Sequence, residues 1–410
     1  MIEVDAGVER VMIVGVQTDR YEEDQFEEMM QEMVDLAQTA QGKVVCQVRQ
    51  KLPHLDHRYA VGPGKLEEIK LALDHHRIDL VIFFNPLSPS MNRSIETVLQ
   101  VRVIDRVQLI LDIFALRAKS MEGQLQVSLA QYEYLLPRIT GQGKMLSRLG
   151  GGIGTRGPGE TQLESDRRHI RSQITHIKRS LDDVANHRER TRSKRQRSRE
   201  FNIGLVGYTN AGKSTIMHQL TGTDTYVQDQ LFATLDPLTR QFSINGHPVF
   251  TLTDTVGFIE ELPTELIEAF KSTLEEIRYL DLLLHVVDAS NPAHTMHEET
   301  VLRILRDLEV DHLPILTVYN KSDCLNQPFN PTISPNVLIS AKNDQDMERL
   351  KEAIWRMCLE EAEEYSVRIR PEDADRIAIY QQRTLVTSLE FNEEENYYQV
   401  SGFRKLFIVD

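Results

Sequence analysis

The stretch "FNIGLVGYTNAGKST" (residues 201–215) decides the fold. A short apolar run leads to Gly207, four residues follow, and then come Gly212, Lys213 and Ser214. The continuation "KSTIMHQL" has a helical pattern, so the sequence reads strand, loop, helix. Glycines in such a loop let successive backbone N–H groups converge on an anion, and the helix N-terminus adds partial positive charge. Gly207, Tyr208, Thr209, Asn210, Ala211, Gly212, Lys213, Ser214 and Thr215 are therefore candidate phosphate-binding residues. Lys213 has the reach for β- and γ-phosphates, and the Ser214 hydroxyl suits Mg²⁺. Asn210 stands where some phosphate loops place a ligand for a monovalent cation, which makes K⁺ a candidate cofactor. A turn asparagine explains the residue equally well.

Working outward, three more strands end in polar signatures. "HPVFTLTDTVGF" (247–258) ends in Asp254, placed to hold Mg²⁺ through water, and Gly257, whose N–H suits a γ-phosphate. "PILTVYNKSD" (314–323) supplies Asn320, Lys321 and Asp323. Guanine offers a donor pair that Asp323 can accept and adenine does not, so GTP is the expected substrate. "NVLISAK" (336–342) adds Ser340, Ala341 and Lys342, with backbone near Ala341 expected to donate to guanine O6. In "LFATLDPLTR" (231–240), Thr234 is the candidate second hydroxyl on Mg²⁺ and Thr239 competes with it. Lys213, Thr234 and Gly257 are the catalytic candidates; Ser214, Thr234 and Asp254 are the metal candidates. Asn245-Gly246 predicts a hairpin turn and an antiparallel edge strand. The whole is the plan of a Ras-like P-loop core, with segments 223–240 and 254–268 expected to order around Mg²⁺-GTP. Phe258 occupies the place where many such proteins carry a water-orienting glutamine, which predicts slow unaided hydrolysis.

Toward the N-terminus, apolar β-branched runs at 10–16, 43–49, 79–85 and 101–105 alternate with helical patterns at 25–40, 64–76 and 90–100. That predicts a parallel α/β layer. "GPGK" (62–65) reads as a turn and helix start. Leu125, Leu129, Tyr132 and Leu136 share helical spacing, and from Ile170 the steps to Ile174, Ile177, Leu181 and Val184 form a heptad seam beginning after Leu163. Thr161 with Glu164 suggests a capping box. The expected result is an antiparallel hairpin, 119–138 on 162–198, with the glycine-rich "GGGIGTRGPGE" (150–160) in its tip. The last 50 residues suggest a small α+β unit. The fold class is thus α/β: a parallel domain at 1–118, a helical hairpin at 119–198, a Ras-like domain at 199–358 and a small α+β domain at 359–410.

Composition bounds the partners. The 410 residues carry a net charge of −15, against wholesale nucleic-acid binding, yet residues 166–200 hold 12 basic and 5 acidic side chains. That asymmetry predicts a local polyanion contact. Three scattered cysteines, no membrane-length apolar run and an acidic start fit a reducing cytoplasm. A monomer is the expectation, with oligomeric state left open.

"TRGPGETQLESDRR", "DRVQLILDIFALRA" with "EGQLQVSLAQYEYLLPR", "FATLDPLTR" and "DTVGFI" together resemble the HflX GTPases over about residues 8 to 360. Leu238 departs from the more usual threonine of that family's "LDPTTR". The resemblance implies GTP-regulated binding to the large ribosomal subunit, a role in splitting or rescuing ribosomes, and contact of the hairpin with ribosomal RNA. Arg148, Arg156, Gly157, Arg167 and Arg168 are the candidate RNA contacts, with Arg138 and Lys144 nearby. Two competing readings are a GTP-gated protein adaptor and an ATP-dependent kinase; Asp323 weighs against the second.

Overall fold

The computed structural model describes residues 8–139, 158–196, 200–222, 231–232, 238–255, 257–260 and 275–405. They fall into two compact units that divide along the chain between Asp183 and Val184.

In the first unit, β1 (Arg10–Gln17), β2 (Lys43–Lys51), β3 (Leu80–Phe83) and β4 (Arg102–Asp105) form a parallel sheet in the order β2-β1-β3-β4. Helices α1 (Glu23–Thr39), α2 (Pro63–His76) and α3 (Pro89–Leu99) connect them, as the alternation predicts. Strands β1 and β3 are buried almost throughout, which is why they read as unbroken apolar runs. "GPGK" is a helix start: Gly62 N–H donates to Gln50 Oε1 at 3.0 Å and Lys65 pairs with Glu68 at 2.6 Å.

Helix α4 (Arg106–Arg117) follows β4 at once and is an element that the sequence pattern does not predict. It buries Leu109, Ile110, Leu111, Ile113 and Phe114, but Ala115 and Leu116 on its open side are apolar too, so no amphipathic period marks it in the sequence. Asp105 starts it by accepting the N–H of Gln108 at 3.0 Å. Helix α5 (Met121–Ile139) packs on α4. Its buried face is Gly123, Val127, Ala130 and Tyr134, with Leu129; Leu125, Tyr132 and Leu136 of the expected stripe are only half-buried. Helix α6 (Pro158–Gln196) begins before Thr161, which therefore lies in its first turn and not at its cap. Proline at the first helical position is preset in φ and needs no N–H partner. The seam is present: Ile170 and Ile177 are buried, Ile174, Leu181 and Val184 half-buried, and Lys178 meets Glu133 of α5 at 2.8 Å.

In the second unit, β5 (Phe201–Gly207), β6 (Leu238–Ile244), β7 (His247–Asp254), β8 (Leu282–Asp288), β9 (Ile315–Asn320) and β10 (Asn336–Leu338) form one sheet, β10-β9-β8-β5-β7-β6. Only the edge strand β6 runs antiparallel, joined to β7 through Asn245 (φ 51°) and Gly246 (φ 79°), the two positive dihedrals of a tight hairpin turn. Helices α7 (Lys213–Thr221), α8 (His294–Asp307) and α9 (Asp344–Glu360) cover it. Strands β11 (Ala362–Ile369), β12 (Leu385–Asn392) and β13 (Tyr397–Lys405), with α10 (Asp375–Arg383), make a small antiparallel sheet, β11-β13-β12. This sheet shares the larger core: Leu385, Phe403 and Ala362 join a cluster containing Phe201, Phe250 and Trp355.

Candidate nucleotide site

Strands β5, β7 and β9 run parallel through the sheet, so their polar C-terminal ends share one edge, the edge where open α/β sheets bind ligands. At β5 the chain turns through Gly207 (φ 155°), where a Cβ would strike the carbonyl of Val286, and Gly212 (φ 98°), where one would strike Asn320 Nδ2. Lys213 is 7 % exposed and its Nζ donates to the carbonyls of Gly207 (3.0 Å) and Tyr208 (2.8 Å). Burial pulls its ammonium down to about 8, with Asp254 acting the other way. Ser214 Oγ donates to Asp254 Oδ2 at 3.0 Å. A hydroxyl and a carboxylate so close are a hard-oxygen pair that fits Mg²⁺. Thr234 lies outside the described residues. Its competitor Thr239 has its hydroxyl on Thr253 Oγ1 at 2.9 Å, inside the β6–β7 pair.

After Asp254 the chain is zipped to the phosphate loop. Thr255 Oγ1 donates to the Leu205 carbonyl (2.6 Å), Phe258 N–H to Gly207 (3.1 Å), and Thr209 N–H to Phe258 (2.8 Å). This brings Gly257 against Thr209 and Lys213. Phe258 is 1 % exposed: its ring belongs to the core. Tyr208, besides its place in the loop, stacks on His297 with centroids 3.7 Å apart, and its hydroxyl accepts Glu260 N–H at 2.8 Å. Thr300 and Arg303 of α8 hold the Glu260 carboxylate. No local motif marks this anchor, because Tyr208, Glu260 and helix α8 are far apart in the chain and meet only in the fold.

Across the site, Asn320 is 2 % exposed; Nδ2 donates to the Ala211 carbonyl (3.0 Å) and Oδ1 accepts Ala341 N–H (2.9 Å). The Ala341 N–H, expected to face guanine O6, is therefore held by Asn320. Lys321 (φ 64°) pairs with Asp288 at 2.7 Å, a partner the motif does not reveal. Asp323 is exposed; Ser340 Oγ donates to it at 2.7 Å and Lys342 lies 3.8 Å away. The Ser340 hydrogen bond, first among the causes, holds its carboxyl below the usual range. Asn210 is exposed at φ 60°, and Thr215 lies in the first turn of α7.

Of the candidate RNA contacts, Arg148, Arg156 and Gly157 lie outside the described residues, as does Lys144. On α6, Arg167 is half-buried and Arg168 exposed. Arg138 is engaged internally, with Nη2 3.0 Å from the Leu87 carbonyl and 3.2 Å from Asp105, and its guanidinium 3.3 Å from the Tyr134 ring centroid. Among the described residues no helix is long and apolar enough to cross a membrane.

Three family descriptions match in sequence: "GTP-binding GTPase N-terminal" at residues 27–115, "GTP-binding GTPase Middle Region" at 117–195 and "50S ribosome-binding GTPase" at 202–321. The chain is 46 % identical over 396 residues to GTPase HflX of Alkalihalophilus pseudofirmus, covering 96 % of this chain and 93 % of that one. Against GTPase HflX of Escherichia coli it is 40 % identical over 379 residues, covering 90 % and 87 %. Among solved structures, SsGBP in complex with GDP aligns at TM-score 0.50 and 26 % identity, over 85 % of this chain and 98 % of that one. At 46 % and 40 % identity to these relatives over most of its length, and with the strand ends at 207–214, 254 and 320–323 gathered at one sheet edge, the chain belongs to the HflX family of GTPases.

Proposed function

We propose that this GTPase uses its nucleotide state to control binding to the large ribosomal subunit, and that it acts there in splitting or rescuing ribosomes. The name of the family description covering residues 202–321 supports the ribosomal part of this reading. The observation that carries the nucleotide part is Asn320, one side chain that ties the loop carrying Lys213 to the loop carrying Ser340 and Ala341. Phosphate and base recognition then sit a fixed distance apart.

Residue roles follow from the chemistry. Lys213 supplies charge to the β- and γ-phosphates, and the Gly257 N–H meets the terminal phosphate. Ser214, Thr234 and, through water, Asp254 would hold Mg²⁺, which would supply positive charge to the phosphates. Asp323 accepts from guanine, held in place by Ser340. Asn210 is the proposed ligand of a monovalent cation. Phe258 has its ring in the core and offers nothing to the attacking water, so hydrolysis is slow unless the ribosome supplies a group. The hairpin, through Arg148, Arg156, Gly157, Arg167 and Arg168, contacts ribosomal RNA. The setting is the cytoplasm, and the working unit a monomer.

Cosedimentation with purified subunits tests this. Pelleting with the large subunit is expected with a non-hydrolysable GTP analogue, less with GDP, and to fall steeply with added salt as arginine–phosphate contacts are screened. Equal pelleting in both nucleotides removes the switch; salt-insensitive pelleting removes the RNA contact.

A further inference from the structure

We infer that the Thr209 hydroxyl is a further ligand of the terminal phosphate of GTP, and that it helps the site distinguish GTP from GDP. The inference rests on the proposed assignment of residues 207–215 as the phosphate loop. Thr209 is 7 % exposed, and its Oγ1 is buried with no hydrogen-bond partner among the described residues. Buried hydroxyls are almost always satisfied, so one left over in a binding loop marks a contact that a ligand completes.

Its surroundings say which part of the ligand. The Thr209 backbone is fixed by its N–H to the Phe258 carbonyl at 2.8 Å. A Cβ built on Gly257 would lie 2.9 Å from Thr209 Cγ2 and 3.1 Å from Lys213 Nζ. The threonine side chain, the lysine ammonium and the glycine that follows Asp254 therefore meet at one point. Lys213 and Gly257 are the two groups that serve the terminal phosphate, and Oγ1 branches from the same Cβ as the methyl at that junction. A hydroxyl is a donor as well as an acceptor, and a phosphate oxygen is a charged acceptor, which makes the stronger kind of hydrogen bond. In the proposed assignment the Gly257 N–H meets the terminal phosphate, which GDP lacks, so a hydroxyl beside Gly257 is expected to bond the triphosphate alone. The same crowding explains why residue 257 is glycine: any side chain would intrude on Thr209 and Lys213.

The test is made on the full chain with Thr209→Val, which keeps the shape and loses the hydroxyl, and Thr209→Ser, which keeps the hydroxyl. Affinities for GDP and for a non-hydrolysable GTP analogue are measured, with single-turnover GTP hydrolysis. Thr209→Val is expected to lower the ratio of analogue affinity to GDP affinity about tenfold or more, with circular dichroism reporting that the variant is folded. Thr209→Ser is expected to retain the native preference. An unchanged GTP-to-GDP ratio in Thr209→Val, or equal losses in both variants, overturns the inference. GDP affinity that survives Lys213→Ala would overturn the phosphate-loop assignment itself, and the inference with it.

Discussion

Lys213, the residue proposed to meet the phosphates, is buried at a cost to the nucleotide-free protein. Its ammonium is buried, its near neighbours are two carbonyls, and burial lowers its pKa to about 8. Phosphates favour the charged form, so nucleotide binding raises that pKa. Above pH 8 the lysine is then increasingly neutral before binding and charged after it, and binding takes up a proton. Nucleotide affinity is expected to fall as pH climbs past 8, by up to about tenfold per unit. Calorimetry of GDP binding at pH 8.5, in two buffers of different ionisation enthalpy, checks this; identical apparent enthalpies would mean no uptake. The stability linkage has the opposite sign. Between about 8 and 10.5 the unfolded chain binds more protons at this site than the folded one, so the nucleotide-free fold gains stability as pH rises through that window.

Between elements, the junction of β4, α4 and α5 turns on Asp105, the first residue of the stretch "DRVQLILDIFALRA". Its carboxylate, 2 % exposed as a residue, accepts from Gln108 and Leu87 backbone N–H, from Tyr134 hydroxyl at 2.7 Å, and from Arg138 at 3.2 Å. Burial first, and then the Asp105 charge, push the Tyr134 phenol up, so that it remains a donor. Asp105→Ala is expected to destabilise the first unit by about 3–5 kcal/mol, since it strands a partly buried guanidinium and a buried phenol together. Asp105→Asn, which can still accept, should cost less; chemical denaturation of both variants against the native protein measures the difference. The same junction shows what sequence can and cannot reveal. Strands such as "RVMIVGV" and the loop around Lys213 were legible because their physics is local: a run of buried β-branched residues, or glycines before a lysine and a helix. Helix α4 has no period in its sequence because apolar residues continue onto its exposed side, where Leu116 is 61 % exposed. Arg138, read as a basic residue for RNA, is held by residues 33 and 51 positions away, a fact that no window along the chain contains. Asn320 lay in a legible motif, yet its bond to a carbonyl 109 residues earlier was likewise out of view.

At the scale of the molecule, the second unit is more continuous than its sequence suggests. The final strands alternate, burying little on their outer faces, and so read as a small appendage. In the structure Leu385 is fully buried in the cluster that also contains Ile216 and Met217 of the helix following the phosphate loop. Lys405 of β13 is 2.7 Å from Asp281, just before β8, and 3.3 Å from the Glu200 carbonyl, at the start of β5. A shared core has a thermodynamic signature that an appendage lacks. Removing the Leu385 side chain leaves a cavity in a close-packed interior, at a cost of about 2–5 kcal/mol, and that cost must fall on the nucleotide-binding sheet as well. Conversely, GDP bound at the phosphate loop stabilises whatever unfolds together with it, by mass action. Leu385→Ala is therefore expected to lower the same thermal transition that GDP raises, and GDP is expected to slow amide exchange in β12 and β13 as well as in β5. Protection confined to the first six strands of the unit, with Leu385→Ala lowering a separate transition insensitive to GDP, would show two cores where the packing has one.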